Sequence, residues 1–454
     1  MARDLSLLVP EMTLVMAIVF ALVAEMLRAP RVALVLAILG TLLAAGLTLP
    51  VLDAATTVFG GTYRIDLLSG WAKLILLPGT ALALLMVRAE LAGSDREGTV
   101  YSLLGLATMG ALMLAGAGDM MLIVLGVLLS GLASFALVAY SRDDPATEAA
   151  MKFFIFASVT GAIMIYGLSL WFGGAGSTLL SGLSRLEARP VVAAVGLVAV
   201  LVGLGYKAAL VPFHFWAPDA YDGAPVSVAA FLSVVPKIGA IFALAQVVRD
   251  LPAATGWPVL LAVIAALTMS YGYLAALVQS NVVRLLAYSS IAQAGYFLLG
   301  IVAVGTTELA LQSIVVFAAA YAAMNLGAFA IVMVAGRSLE DFTAFGRRLP
   351  VAGVAMVIFM ISLVGIPPLF GFIGKVLLFG AAIEADFLWL AVIGILNSVL
   401  SLAVYLRIVV PMYRPQEASM PDAPRASLLT LVWVATAAIS LGMGLASQVL
   451  IGFL

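Results

Sequence analysis

Apolar residues run through this chain in long unbroken blocks rather than in stripes. A block of about 17 to 25 residues is long enough to cross a hydrocarbon layer as a helix. Fourteen such blocks occur, at roughly 7–27, 32–52, 66–87, 101–117, 119–140, 150–173, 190–211, 226–248, 257–279, 283–304, 308–335, 349–382, 387–411 and 427–451. The block at 349–382 is too long for one straight crossing. Its middle reads GIPPLFGFIGK (365–375), whose two prolines and three glycines predict a broken helix. The seventh block has its own breakers: Gly203 and Gly205 precede YKAALVPFHFW (206–216), which contains Pro212. The longest polar connections, 88–100, 337–348 and 412–426, are short, so no soluble domain is expected. No cleavable signal peptide is expected either, because the first block lacks a small-residue cleavage site.

The pattern gives a fold class: an all-α polytopic membrane protein with fourteen spans and discontinuous helices seven and twelve. Broken helices at matching positions of two halves are the sequence mark of a transporter repeat. Spans four to eight hold one break and spans nine to thirteen the other. Five helices per unit is odd, so the second unit is expected to be inverted. The chain then divides into N-terminal helices (1–100), a first five-helix repeat (101–248), a second (249–413) and a last helix (414–454).

Composition agrees with a lipid environment and narrows the chemistry. Of the 454 residues 64% are hydrophobic and 10% charged, against about 25% charged in a soluble chain. Net charge is -1, so no basic field is available to hold nucleic acid. With no cysteine, the chain cannot supply thiolate ligands for iron–sulfur clusters or zinc. With a single histidine, His214, it cannot build a bis-histidine haem or a three-histidine metal site. Neither a phosphate loop nor a convincing dinucleotide fingerprint is present. Electron transfer and phosphoryl transfer by this chain alone are not expected.

The basic residues are segregated. Loops on the side of the N-terminus carry Arg3, Arg64, Arg185, Arg189 and Arg249. Those on the other side carry Arg28, Arg31, Arg88, Arg96, Arg142, Arg284, Arg337, Arg347, Arg348, Arg414 and Arg425. That bias predicts both termini outside the cytoplasm. All five lysines, Lys73, Lys152, Lys207, Lys237 and Lys375, fall inside or at the edge of a block. Arginine keeps its proton in a protein, whereas a buried lysine can release it. Lysine used only at membrane depth therefore points to proton movement. Lys73 and Lys152 read equally as proton sites or as residues that snorkel or form a structural ion pair. Lys207, Lys237 (after Pro236 in SVVPKIGA, 233–240) and Lys375 read as proton sites, since freed carbonyls and water beside a break can solvate an ammonium group. His214, leaving the seventh block, reads equally as a proton relay or a structural residue.

Among the acids, Glu11 and Glu25 lie near opposite ends of the first block and read as interface or subunit-contact residues. Glu148 stands four residues before Lys152, a favourable helical pair. Asp119 is expected to cap a helix. Asp219 and Asp222 look like loop and turn residues.

Four stretches carry a resemblance: YKAALVPFHFWAPDAYDGAPVSVAAF, SVVPKIGA, NVVRLLAYSSIAQAGY (281–296) and GIPPLFGFIGK. Together they resemble the antiporter-like subunits of respiratory complex I. LLVPEMTLV and KFFIFASVTGAIMIYG are most similar to subunit N of bacterial NADH–quinone oxidoreductase. The similarity runs from about residue 7 to 413. It implies a proton-translocating membrane-arm subunit in the bacterial inner membrane, with both termini periplasmic. Its proton path would be Lys207, Lys237, His214 and Lys375. Neighbouring antiporter-like and small membrane subunits would be its partners. NADH, FMN, iron–sulfur clusters and quinone would be held by other subunits, with no cofactor in this chain. Two positions depart from the family. Its fifth-helix glutamate, in G-x-E-L-x-S, is replaced by Leu128 in GVLLSG (126–131), which leaves Lys207 without an obvious carboxylate. The histidine of S-S-I-A-H is replaced by Gln293, which can hydrogen-bond but not take up a proton at neutral pH. Two rival readings stay open: a subunit of a related sodium/proton antiporter or membrane-bound hydrogenase complex, or a structural subunit with a degenerate path.

Overall fold

The structure is a computed structural model that describes residues 2–52, 54–94, 96–415, 427–446 and 452. Arg425 and the C-terminal end of the last predicted span lie outside the described residues. After a short helical turn, Ala2–Leu7, the spans are α1 (Val9–Met26), α2 (Pro30–Gly46), α3 (Leu67–Leu91), α4 (Glu97–Ala115), α5 (Met120–Val138) and α6 (Asp144–Ala175). Next come α7a (Pro190–Ala208), the short α7b (Trp216–Gly223), α8 (Val226–Val248), α9 (Trp257–Ala276), α10 (Val282–Ile301) and α11 (Leu309–Ala335). The chain continues as α12a (Pro350–Val364), α12b (Phe370–Glu384), α13 (Leu388–Met412) and α14 (Ser427–Leu445). Among the described residues thirteen helices are long and apolar enough to cross a membrane, or up to fourteen if the bent pair Glu340–Arg348 and Pro350–Val364 counts as one span. The predicted run 349–382 is the pair α12a and α12b, fifteen residues each.

One element departs from the all-α expectation. Thr56–Val58 and Tyr63–Ile65 pair antiparallel as β1 and β2 in the connection between α2 and α3. Three-residue strands leave no alternating pattern long enough to read from sequence.

Burial sorts the bundle into a centre and a shell. Every residue of α8 is buried, and α10 and α11 are nearly as enclosed. The shell helices α1, α2, α6 and α13 keep long apolar faces outward, through residues such as Leu39, Val159 and Val399. In lipid that arrangement is stable, since backbone groups are satisfied within each helix and the exposed side chains are apolar. Polar anchors hold the centre in place. The Glu90 carboxylate accepts from the Val226 and Ser227 amides (2.9 and 2.8 Å) and caps α8 from the end of α3. Asp119 caps α5 as expected, accepting from the Met121 amide at 2.7 Å.

Both predicted breaks are present. Helix seven stops at Ala208, where Ala209 turns left-handed (φ 58°), and resumes as α7b at Trp216. Helix twelve stops at Val364 and restarts at Phe370, so residues 370–374, expected within the break, are helical. Each break holds one cis X–Pro bond, Val211–Pro212 and Pro367–Pro368. Gly365 is required twice over: it takes φ 90°, and a Cβ there would stand 2.8 Å from Lys375 Cδ. A Cβ on Gly371 would stand 2.0 Å from the Ser362 carbonyl oxygen, so glycine lets α12b pass against the end of α12a.

Candidate functional site

Lys207, Lys237 and Lys375 are all inside the protein, at 2%, 1% and 2% exposure. Among the described residues none of the three forms an ion pair. Their surroundings differ. Lys237, on α8, donates from Nζ to the Ser290 carbonyl of α10 (2.9 Å) and to Ser290 Oγ. Ser290 Oγ lies 2.7 Å from Tyr321 Oη on α11, and that hydroxyl donates to the Ser233 carbonyl at 3.0 Å. The donors are used in one direction: ammonium to serine, serine to tyrosine, tyrosine to carbonyl.

Lys375, on α12b, repeats this order. Its Nζ donates to Ser398 Oγ of α13 (3.2 Å), which lies 2.8 Å from Tyr296 Oη, and Tyr296 donates to the Gly394 carbonyl at 2.9 Å. The ammonium also donates to the Leu363 and Val364 carbonyls at 2.9 and 3.0 Å. These belong to the last residues of α12a and are free because the helix stops there. The face of the Tyr296 ring lies 4.0 Å from Nζ, adding a cation–π contact.

Gln293 joins the two clusters. It lies one turn beyond Ser290 on α10, and its Nε2 donates to the Leu363 carbonyl (3.1 Å), the one that also accepts from Lys375. The same nitrogen reaches Tyr273 Oη (3.1 Å) and Tyr405 Oη (3.2 Å), and Tyr405 Oη lies 2.6 Å from Ser289 Oγ. Oε1 of Gln293 is buried without a partner.

Lys207 is different. It is the penultimate residue of α7a, and among the described residues its Nζ makes no hydrogen bond. The Tyr206 carbonyl accepts instead from the Ala209 amide (3.0 Å) and from Trp216 Nε1 (2.8 Å), and the Val211 amide donates to Thr268 Oγ1 of α9 (3.1 Å). Lys207 lines a cavity of about 90 Å³ whose walls come mostly from α5 and α6. Leu128 lines the same cavity and is 48% exposed. Gly131, one turn on, is close to the ammonium: a Cβ there would stand 4.0 Å from Nζ.

His214 is buried with its ring 4.5 Å from those of Phe215 and Tyr271, and its Nδ1 has no partner. Among the described residues it makes no hydrogen bond to a lysine. Glu148 and Lys152 pair at 2.8 Å, as the spacing predicts. They belong to a larger cluster that the sequence does not reveal. Lys152 also reaches Asp219 (3.0 Å), Asp219 pairs with Arg284 (2.9 Å), and Asp222 accepts from Asn281 (2.7 Å). Glu148, Lys152, Asp219, Asp222, Arg284 and Arg337 line a cavity of about 320 Å³. Asp219 and Asp222 are thus ion-paired residues of α7b, not loop or turn residues. Glu11 needs correcting too. It is buried, pairs with Lys73 Nζ at 2.6 Å and accepts from Tyr63 Oη at 2.6 Å. It is an internal ion-pair residue rather than a contact for another subunit, and Lys73 is its partner rather than a snorkelling chain. Among the described residues no group of three or more His, Asp or Glu side chains could hold a metal ion.

Comparison with known proteins places this geometry. Residues 117–401, which include both breaks and all three lysines, match the model of the family described as NADH:quinone oxidoreductase/Mrp antiporter, TM. NADH-quinone oxidoreductase subunit N 1 of Streptomyces griseus subsp. griseus is 36% identical over 463 residues, covering 99% of this chain and 98% of that one. A chain of respiratory complex I from Thermus thermophilus, solved with bound aureothin, superposes with a TM-score of 0.85 at 31% identity, over 97% of each chain. A chain of the Mrp complex from Dietzia superposes with a TM-score of 0.88 at 21% identity, over 99% of this chain and 96% of that one, a likeness of fold alone. The chain belongs to the NADH:quinone oxidoreductase/Mrp antiporter family and, within it, to the subunit N proteins of NADH-quinone oxidoreductases.

Proposed function

We propose that this chain carries protons through the membrane arm of a proton-translocating NADH-quinone oxidoreductase along Lys207, Lys237 and Lys375. Electron transfer from NADH to quinone, with FMN and iron–sulfur clusters, takes place in other subunits and supplies the energy. The observation that carries the reading is the polar line through the most enclosed part of the bundle. Lys237 bonds Ser290, Ser290 is followed one turn on by Gln293, and Gln293 shares the Leu363 carbonyl with Lys375. Buried ammonium groups held by serine, tyrosine and carbonyl oxygens, with no carboxylate, can give up a proton without leaving an unpaired anion behind. Moving one charge against 100 mV takes about 2.3 kcal/mol, within the reach of a modest change in the surroundings of one such lysine.

On this reading the polar cavity around Lys152, Glu148, Asp219 and Arg284 opens to the cytoplasm, as the arginine bias predicts, and both termini are periplasmic in a bacterial inner membrane. The units 101–248 and 249–413 form an inverted pair, supported by a broken helix with a buried lysine at the fourth position of each. His214 serves at the exit of the first break, where its Nδ1 is buried without a partner. Neighbouring antiporter-like and small membrane subunits are the partners. Inverted membrane vesicles energised with NADH provide the test. Lys237→Ala and Lys375→Ala should lower proton uptake while the complex stays assembled. Unchanged uptake in both would leave the chain a structural spacer, and uptake that depends on sodium would favour the antiporter reading.

A further inference from the structure

Lys207 is the one lysine of the three with no partner among the described residues, and it is also the one whose cavity meets the outer surface of the bundle. Its ammonium group lines a space of about 90 Å³ walled by apolar residues of α5 and α6. That volume is about three waters' worth, room for one side chain and not for a helix. At the rim Leu128, Leu132 and Phe154 are exposed. An acyl chain could fill the space but would leave the ammonium group unsatisfied in hydrocarbon, which costs several kcal/mol. A carboxylate entering from outside would satisfy it. Within this chain the fifth helix supplies none, since its cavity-facing positions include Leu128, Gly131 and Phe135 and no acid.

We propose that the α5–α6 face around Leu128 docks a transmembrane helix of an adjacent membrane subunit, which inserts an Asp or Glu side chain into this cavity and pairs with Lys207. The proposal rests on the chain being a membrane-arm subunit and adds a surface, a partner chemistry and a counter-ion supplied in trans. The size and the charge agree: an exposed apolar rim, a pocket of side-chain size, and among its lining residues a cation with no partner among the described residues.

Because the sequence contains no cysteine, one placed in it is the sole thiol of this chain. Leu128→Cys and Leu132→Cys, labelled in the assembled complex with a thiol-attached benzophenone, should cross-link on illumination to one transmembrane segment of one other subunit. Mass spectrometry should find an Asp or Glu within a turn of the joined residue. Val399→Cys, on the outward face of α13, should not capture that segment. Capture of lipid only, of a second copy of this chain, or of a segment without a carboxylate overturns the proposal. The pairing is then tested by changing the identified carboxylate to its amide. NADH-driven proton uptake should fall roughly threefold, the same as in Lys207→Ala, because Lys207, unlike Lys237 and Lys375, has no oxygen among the described residues to hold its ammonium group once the carboxylate is gone. Gly131→Asp in this chain should restore it, since a Cβ there stands 4.0 Å from Nζ and 3.4 Å from the Phe135 ring. An amide variant that pumps normally while Lys375→Ala does not overturns the pairing. If Lys375→Ala also pumps normally, the proton-path reading is what has failed, and the cross-link alone decides the docking.

Discussion

At the second break the Lys375 ammonium reaches back to the carbonyls of Leu363 and Val364, which the interrupted helix has set free. At the first break Lys207 reaches no carbonyl, because Trp216 takes the one at Tyr206 and the left-handed Ala209 closes the turn. Both sites begin from the same sequence device, glycine and proline beside an intramembrane lysine. They end with opposite solvation. One cation sits within its own chain's oxygens and above an aromatic ring; the other faces an apolar cavity near the lipid surface. The comparison teaches that a break supplies acceptors only if the side chain folds back over the stump of its helix. Lys375 can do so because it lies beyond the gap, in the second turn of the second half-helix, whereas Lys207 ends the first, where the Gly205 and Tyr206 carbonyls accept from the Leu210 and Ala209 amides.

The strongest way to break this comparison is to remove the better-solvated cation. Lys375→Ala takes away the charge around which the Leu363 and Val364 carbonyls, Ser398 and the Tyr296 ring are arranged. Proton uptake by vesicles should drop roughly tenfold or more, the effect of a barrier raised by about 1.4 kcal/mol or above. NADH oxidation measured alongside, with the assembled complex confirmed on a native gel, separates loss of coupling from loss of the subunit. Equal and small effects of Lys375→Ala and Lys207→Ala would erase the distinction between the halves.

Next in size is the link between Lys237 and Lys375. Gln293→Leu keeps the volume and deletes the amide that ties α10 to the Leu363 carbonyl and to Tyr273 and Tyr405. Uptake should fall severalfold, with Lys375 still present. Gln293→His, which can both bond and carry a proton, should recover most of it. A Gln293→Leu variant with normal uptake would mean that protons do not pass between the two clusters at this point. Lys207→Ala should cost less, roughly threefold, since the Lys237–Lys375 line stays intact. Leu128→Glu should enlarge the cost of losing Lys207 by placing a carboxylate at the rim of its cavity.

The two breaks are legible in the sequence, because glycine and proline rarely interrupt an apolar block unless the helix itself is interrupted. The buried lysines are legible because a charge at membrane depth is costly and seldom kept without use. The solvation of those lysines is not legible. The acceptors for Lys375 are backbone carbonyls, which carry no residue signature, and the bond from Gln293 to Leu363 spans 70 residues. In sequence Gln293 looks like the loss of a proton carrier, yet its amide fills the junction between two clusters. Glu11 looks interfacial because it stands near the start of a span; its partners Tyr63 and Lys73 arrive only when the β1–β2 ribbon and α3 fold over α1. Asp219 and Asp222 look like loop residues because a helix of only eight residues, set between a break and a proline, has too few turns to show a period.

The smallest expected effect concerns what holds α7b beside the first break. Burial works against ionisation of Asp219, but its hydrogen bonds from Lys152 and Arg284 outweigh it and hold the carboxyl below the usual aspartate range. A carboxyl depressed in the folded state contributes stability that is fully present above its unfolded value, about pH 4, and is lost as the pH falls through the folded value. At neutral pH the contribution is therefore complete. Lys152 is 45% exposed and Asp219 31%, so water and salt screen the pair. Lys152→Ala should cost only about 0.2–1 kcal/mol, read as a small drop in the thermal midpoint of the purified complex. Asp219→Asn should cost somewhat more, because it takes one carboxylate from both Lys152 and Arg284, leaving them Glu148 and Asp222. Both losses should begin to shrink as the pH falls below about 4, the unfolded value, and vanish once it has fallen through the lower folded value. Neither change should alter proton uptake by more than the Lys207→Ala variant does. If Asp219→Asn instead matches Lys375→Ala, the ion cluster at α7b belongs to the proton route itself, and the first half is solvated from its polar mouth rather than from a neighbouring helix.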